Sequence, residues 1–271
     1  MNSKSKVTII TVSYNAVNTI EETILSVINQ TYPNIEYIII DGGSTDGTVD
    51  IIKKYSNYIS YWVSESDKGI YDAMNKGAFK ATGKFIQFLN AGDWLYDNNV
   101  LTNIFNNKNY ENVDVIYGDM IIRRLDGKFY ASAQDLSLFK NDFPLFHPST
   151  FVSKSTFLKY KFDISYRISA DFKILRDIYY ANGIFKYLPF AFTNFDGIYG
   201  ISSSGYAFDI FKERGRITGE NNSVKWKVSC LSFLIRLKFK AIIKFILSHT
   251  VPQYFNKIQY NRIPKHIKKV S

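Results

Sequence analysis

The chain has a single cysteine, Cys230, in 271 residues. That excludes a disulfide framework and any zinc site built on paired thiolates, and it fits a reducing compartment. Acid is missing from one whole region: residues 225–271 carry 11 Lys and Arg and no Asp or Glu. The chain as a whole has 34 Lys and Arg against 24 Asp and Glu, so the first 224 residues hold 23 bases and 24 acids. The formal excess of +10 therefore belongs to the tail, and a near-neutral body with a cationic appendage is expected. No nucleic-acid motif accompanies that charge. The first strand is not followed by Gly-x-Gly-x-x-Gly, which argues against a dinucleotide enzyme. No apolar run near the N-terminus is long enough for a signal peptide, so a cytoplasmic location is expected. With 46% apolar and 17% aromatic residues the chain has the material for a sizeable core, and disorder is excluded.

What is present is an alternation of strand and helix signals. β-branched runs at 7–13 (VTIITVS) and 35–40 (IEYIII) and a stretch at 59–63 read as strands. Between them lie a helix after Asn18 or Thr19, with Glu21 or Glu22 completing a capping box, and a second capped by Asp46 and running to Tyr55. A third spans 70–81. A fourth strand, 85–89, opens the stretch KFIQFLNAGD at 84–93, whose turn ends in Asp93. Such an alternation implies βαβ units and a parallel sheet with right-handed crossovers. Asp41, Asp67 and Asp93 each follow a strand, so they should gather at the carboxyl edge, where ligands of open α/β sheets bind. Asp93 could instead cap a helix starting near Asp97. Further on, 114–119 reads as a strand, Asp126-Gly127 as a hairpin turn, 131–150 as irregular, 170–181 as a helix, 185–192 as a last strand and the GIYGISSS segment as a loop.

The ordered motifs TVSYN, IIDGGSTDGT, SESDKGIYDAMNKG, FLNAGD and SADF resemble the family 2 glycosyltransferases, in particular the bacterial surface-polysaccharide branch, over about residues 6–200. The resemblance implies a GT-A Rossmann-like, mostly parallel sheet flanked by helices. It assigns Thr11, Ser13, Tyr14, Asn15, Asp41 and Asp67 to the nucleotide, Asp93 to a divalent metal (Mn²⁺ or Mg²⁺) and Asp171 to the catalytic base. Gly42 stands where many relatives have a second acid, Asn90 where the metal motif has its first, and Ala170 where a Glu is common before the base. A lone carboxylate suffices for Mg²⁺ when substrate phosphates supply other oxygens. Each assignment has a plainer counterpart: Asp41 could satisfy its own turn, Asp171 could be an N-cap, and Tyr71, Asp72, Asn75 and His147 are as consistent with structural roles as with acceptor or phosphate contacts.

The expected organisation is a catalytic domain, 1–222, and a basic amphipathic helical extension, 223–271. Lys225, Ser229, Ser232, Arg236, Lys240 and Lys244 would form a polar stripe, and six Lys and Arg within 225–247 oppose a spanning helix but suit one lying on an anionic membrane. The expected function is inverting transfer of one sugar from a nucleotide-sugar, with UDP the expected nucleotide, to a lipid-linked or growing surface glycan such as O-antigen, capsule or exopolysaccharide, at the inner membrane face. A nucleotidyltransferase and a non-catalytic sugar- or nucleotide-binding module are the alternatives.

Overall fold

In the computed structural model, residues 5–197, 206–250 and 266–270 are described. The β-branched runs form the centre of a ten-stranded sheet. Strands β1 (Val7–Ser13), β2 (Ile35–Asp41), β3 (Tyr61–Ser64) and β4 (Phe85–Phe88) are parallel, in the order β4-β1-β2-β3. Their crossovers carry α1 (Ile20–Ile28), α2 (Thr48–Lys54) and α3 (Ile70–Lys80). In register, Ser13 lies beside Asp41 and Asp41 beside Ser64, which lines these three residues along the carboxyl edge. Both faces are covered, as a parallel sheet requires. Val7 and Ile9 of β1 enter one core with α1, whereas Ile10 and Val12 enter the other with α3. A Cβ at Gly77 would lie 2.6 Å from Ile10 Cγ2, so this glycine lets α3 sit close on β1. Burial of Met74 of α3 in the same core contributes about 2 kcal/mol.

Beyond β4 the sheet is mixed rather than parallel. The remaining elements are β5 (Trp94–Leu95), α4 (Val100–Phe105), β6 (Val115–Arg124), β7 (Gly127–Ala131), β8 (Thr150–Ser153), α5 (Lys154–Tyr160), α6 (Ala170–Tyr180), β9 (Phe185–Asp196), α7 (Ala207–Thr218), α8 (Val224–Thr250) and β10 (Ile267–Val270). β8 is antiparallel to both β4 and β6, β7 to β6, and β10 to β7, while β9 runs parallel along β6 and pairs antiparallel with β5.

Several local expectations need correction. Thr19 flanks α1 without a side-chain cap, and Glu21 is drawn instead to Lys54 and Tyr55. The third strand starts at Tyr61, because a 3-10 turn at Ser56–Tyr58 precedes it. The hairpin loop is Leu125-Asp126, since Arg124 already pairs with Gly127. β9 continues to Asp196 and is not the last strand. The loop expected after it falls, from 198 on, outside the described residues.

Helices α7 and α8 pack together through Phe211, whose ring centroid lies 4.9 Å from Phe233 and 5.9 Å from Trp226. The opposite face of α8 exposes Val224, Val228, Leu231, Ile235 and Phe239, each 58–76% accessible, beside exposed Lys225, Lys227, Arg236 and Lys238. Among the described residues, no helix is long and apolar enough to cross a membrane.

Candidate active site

The first two strand ends form one loop cluster around Asp41. This fully buried carboxylate accepts from Ser13 Oγ (2.8 Å) and Ser44 Oγ (2.6 Å) on Oδ1, and from Gly43 N, Ser44 N and Ser64 Oγ on Oδ2. Burial raises its pKa, but the Ser44, Ser64 and Ser13 donors more than offset this and hold it below the usual carboxylate value. Asn15, at φ 47°, donates its N–H to Ser44 Oγ and accepts Thr45 N–H on Oδ1, tying the two loops together. Thr11 is buried, with its hydroxyl 3.0 Å from Tyr37 OH, and lies inside the sheet rather than at its edge. What the cluster presents outward is the 68%-exposed ring of Tyr14 and the carboxylate of Asp67. The two meet over Gly42, where a Cβ would lie 2.8 Å from Asp67 Oδ2 and 3.3 Å from Tyr14 Cδ2. Asp67 occupies the space that a side chain at position 42 would need.

A second cluster surrounds Asp171 at the start of α6. The flanking residue is Ser169, so Asp171 stands inside the first turn and is not the N-cap. Its Oδ1 accepts from Phe172 N (2.8 Å) and from Tyr71 OH (3.0 Å), which also lies 2.6 Å from Ile168 O. Burial, and then the nearby Asp171 charge, push the Tyr71 phenol well above its usual range. Oδ2 of Asp171 has no hydrogen-bond partner among the described residues, and the residue is half-buried. His147 is close enough to feel Asp171, stacks on Phe88 with centroids 5.8 Å apart, and has a buried Nε2 without a partner. Burial lowers its pKa more than Asp171 raises it. Asn75 uses both ends of its amide on the backbone of Phe162, at 2.9 and 3.1 Å, which leaves it a structural clamp. Asp72 accepts from Lys68 N.

Asp93 follows β4 at the carboxyl edge, and the backbone N–H and charge that it feels are those of Asp196 at the end of β9. It caps no helix, because β5 intervenes and α4 begins only at Val100. The residue is 6% exposed, and burial pushes its pKa up to about 8; the Asp196 N–H opposes this and the Asp196 charge reinforces it. Arg123 bonds Asp196 at 3.2 Å and lies 4.5 Å above the Trp94 ring. The Asn90 Oδ1, one turn back, is buried without a partner.

The sequence profile described as "Glycosyl transferase family 2" matches residues 8–179, well over half of the chain. The chain belongs to glycosyl transferase family 2. A PGL/p-HBAD biosynthesis glycosyltransferase of Mycobacterium bovis is 34% identical over 154 residues, which cover 54% of this chain and 59% of that relative. The chain thus matches less than two thirds of the length of this curated relative. Among solved structures, S. aureus TarS in complex with UDP-GlcNAc superposes with a TM-score of 0.63 at 18% identity, covering 78% of this chain and 66% of that one. A mannosyltransferase of Pyrobaculum calidifontis, PcManGT, in complex with GDP-Man and Mn²⁺, gives 0.60 at 15% identity over 95% and 84%. The fold is accordingly GT-A-like: a curled mixed sheet flanked by helices.

For this family-2 chain, the donor set tests the fit of a divalent cation. Among the described residues no group of three or more His, Cys, Asp or Glu is placed to hold a metal. Asp93 and the orphaned Asn90 Oδ1 supply hard oxygen donors, which suits a cation that draws its other oxygens from a diphosphate. Sequence reading missed Asp196 and Arg123, whose proximity to Asp93 depends on the β5–β9 and β6–β9 pairings. Nothing local in the sequence marks them.

Proposed function

We propose that the protein is an inverting glycosyltransferase that moves one sugar from a nucleotide-sugar to a lipid-linked or growing surface glycan. The observation that carries this reading is Asp171: one oxygen is fixed by Tyr71 and Phe172, and the other has no hydrogen-bond partner among the described residues. In the proposed step Asp171 Oδ2 takes the proton of the acceptor hydroxyl. The acceptor oxygen attacks the anomeric carbon from the face opposite the diphosphate, and the sugar–phosphate C–O bond breaks with its electron pair going to the diphosphate. Tyr14 offers a flat face for a base, Asp67 an acceptor for ribose or base N–H groups, and Asp41, Ser13 and Asn15 shape the loop that presents them. Asp93 and Asn90 would hold Mn²⁺ or Mg²⁺, which when bound neutralises charge developing on the leaving diphosphate. A UDP-sugar donor is favoured by the likeness to TarS in its UDP-GlcNAc complex.

The acceptor is proposed to be membrane-borne because of α8. Its exposed stripe from Val224 to Phe239 repeats every three or four residues, is flanked by lysine and arginine, and belongs to a region without acids. An apolar face set in a basic field suits the interface of an anionic bilayer, where each basic residue contributes on the order of 1 kcal/mol. Residues 1–222 would then be the transferase domain and 223–271 its attachment, placing the enzyme peripherally on the cytoplasmic leaflet. Nucleoside diphosphate release should be screened over nucleotide-sugars with Mn²⁺; no release from any donor would sink the enzymatic reading. Co-sedimentation with phosphatidylglycerol vesicles should be lost in the Leu231→Glu/Ile235→Glu double variant, and undiminished binding would remove α8 from this role.

A further inference from the structure

Helix α7 lies outside the matched residues 8–179, yet it reaches the segment that leads into the candidate base. Its Glu213 is 9% exposed, and the carboxylate receives three consecutive backbone amides. Oε1 accepts from Arg167 N at 2.7 Å, and Oε2 from Ile168 N at 3.0 Å and Ser169 N at 2.8 Å. The neighbouring charges on α7 are engaged elsewhere: Lys212 pairs with Asp209, and Arg214 with Asp142. Burying a carboxylate is unfavourable unless its lone pairs are satisfied, so Glu213 is matched to the 167–169 turn and to little else. The turn needs such a partner. Ser169, which flanks α6, makes no side-chain cap, and the amides ahead of the helix are otherwise unclaimed by a side chain.

The consequence reaches the site through Ile168. Its N–H is held by Glu213 and its C=O receives the Tyr71 hydroxyl at 2.6 Å, so both polar atoms of one residue are pinned from opposite sides. The same hydroxyl lies 3.0 Å from Asp171 Oδ1. Glu213, the 167–169 turn, Tyr71 and Asp171 therefore form one continuous hydrogen-bonded chain. We propose that Glu213 is a positioning residue for Asp171, fixing the turn that sets the base against the acceptor; this rests on the reading of Asp171 as the base. Glu213 touches no substrate in this scheme. Its effect is on geometry, where a displacement of about 1 Å can cost two orders of magnitude in rate.

The test uses the full chain with a donor and acceptor that support turnover. Glu213→Gln keeps the shape but turns an amide N–H₂ toward backbone donors, while Glu213→Asp keeps the charge on a shorter arm. For Glu213→Gln, kcat should fall about 10- to 100-fold, with the donor KM and nucleotide affinity within about twofold. Amide exchange at Arg167, Ile168 and Ser169 should accelerate while amides of β1 and β4 stay protected, and Glu213→Asp should recover part of the rate. In combination with Tyr71→Phe the losses should be less than additive, because both act through the same turn. Wild-type kcat in Glu213→Gln, or a loss that follows weakened donor binding or general unfolding, would overturn the positioning role. A wild-type protein inactive with every nucleotide-sugar would instead defeat the transferase reading, and unchanged exchange at 167–169 in an active enzyme would defeat only the role of Glu213.

Discussion

Replacing Asp171 by Asn tests the proposed base with little structural disturbance. Both hydrogen bonds to the side chain arrive at Oδ1, from Tyr71 OH and Phe172 N, and an amide oxygen in the same place accepts both. The altered atom is the other one, which has no partner among the described residues. Folding stability should therefore change by less than about 1 kcal/mol, the net worth of a single hydrogen bond. The rate should change far more. Removing a positioned general base costs about 10²- to 10⁴-fold, equivalent to about 3–5 kcal/mol in the barrier. Initial rates of nucleoside diphosphate release at saturating acceptor, measured beside nucleotide titrations and thermal unfolding, separate the quantities. The expected pattern is a collapse of kcat with donor affinity and melting temperature held. A variant that turns over within about threefold of wild type, or one whose loss is entirely in donor affinity, would refute the assignment.

Glu36 offers a stability test remote from the site. Burial alone would raise its pKa, but bonds from Thr8 Oγ1, Thr82 N and Oγ1 and Lys6 Nζ bring it down to about 2. The folded-state pKa lies below the ordinary 4.5, so the stabilisation is complete above about pH 4.5 and disappears as pH falls toward 2. It amounts to about 3 kcal/mol. Urea unfolding should show that acid limb in the wild type and a flatter one in Glu36→Gln, which should be about 2 kcal/mol less stable at neutral pH; a parallel pH dependence in both would contradict this. Gly42→Ala should weaken nucleoside diphosphate binding by about tenfold in calorimetry, because its Cβ displaces Asp67 and Tyr14, and unaltered affinity would show that this pair lies off the binding surface. Chelation of divalent cations, and Asp93→Asn in their presence, should each lower diphosphate affinity to the same value; a further loss on adding chelator to Asp93→Asn would place the cation elsewhere.

The parallel half of the sheet was legible because each strand is a short apolar run and each crossover has its own periodicity. α3 and α6 lie within a residue of their expected bounds for that reason. The other half was not. β8 is four residues long and becomes a strand only by lying between β4 and β6, and β10 is a charged IKKV segment recruited by the β7 edge. The site divides in the same way. The motifs single out Asp171 and Asp67 as candidates, whereas the bonds of Ser13 and Ser64 to Asp41, the burial of Thr11 against Tyr37 and the meeting of Asp93 with Asp196 are products of long-range register. Glu213 had no local signal either, since its three partners lie more than 40 residues away and are backbone amides.

The packing of α7 on α8 bears on how the chain from α8 onward could be exchanged. A Cβ at Gly215 would lie 2.1 Å from Trp226 Nε1, so the indole is seated directly on the backbone of α7, two residues from Glu213. A tail borrowed from another enzyme, lacking this tryptophan or Phe233, would leave Phe211 and Gly215 bare on the helix that also grips the 167–169 turn. Chimeras joined at residue 222 would thus be cut through a packed seam. A junction upstream of Ala207, carrying α7 and α8 together, would instead part Glu213 from its turn. Productive grafts should keep the native helix pair and vary only the outward stripe.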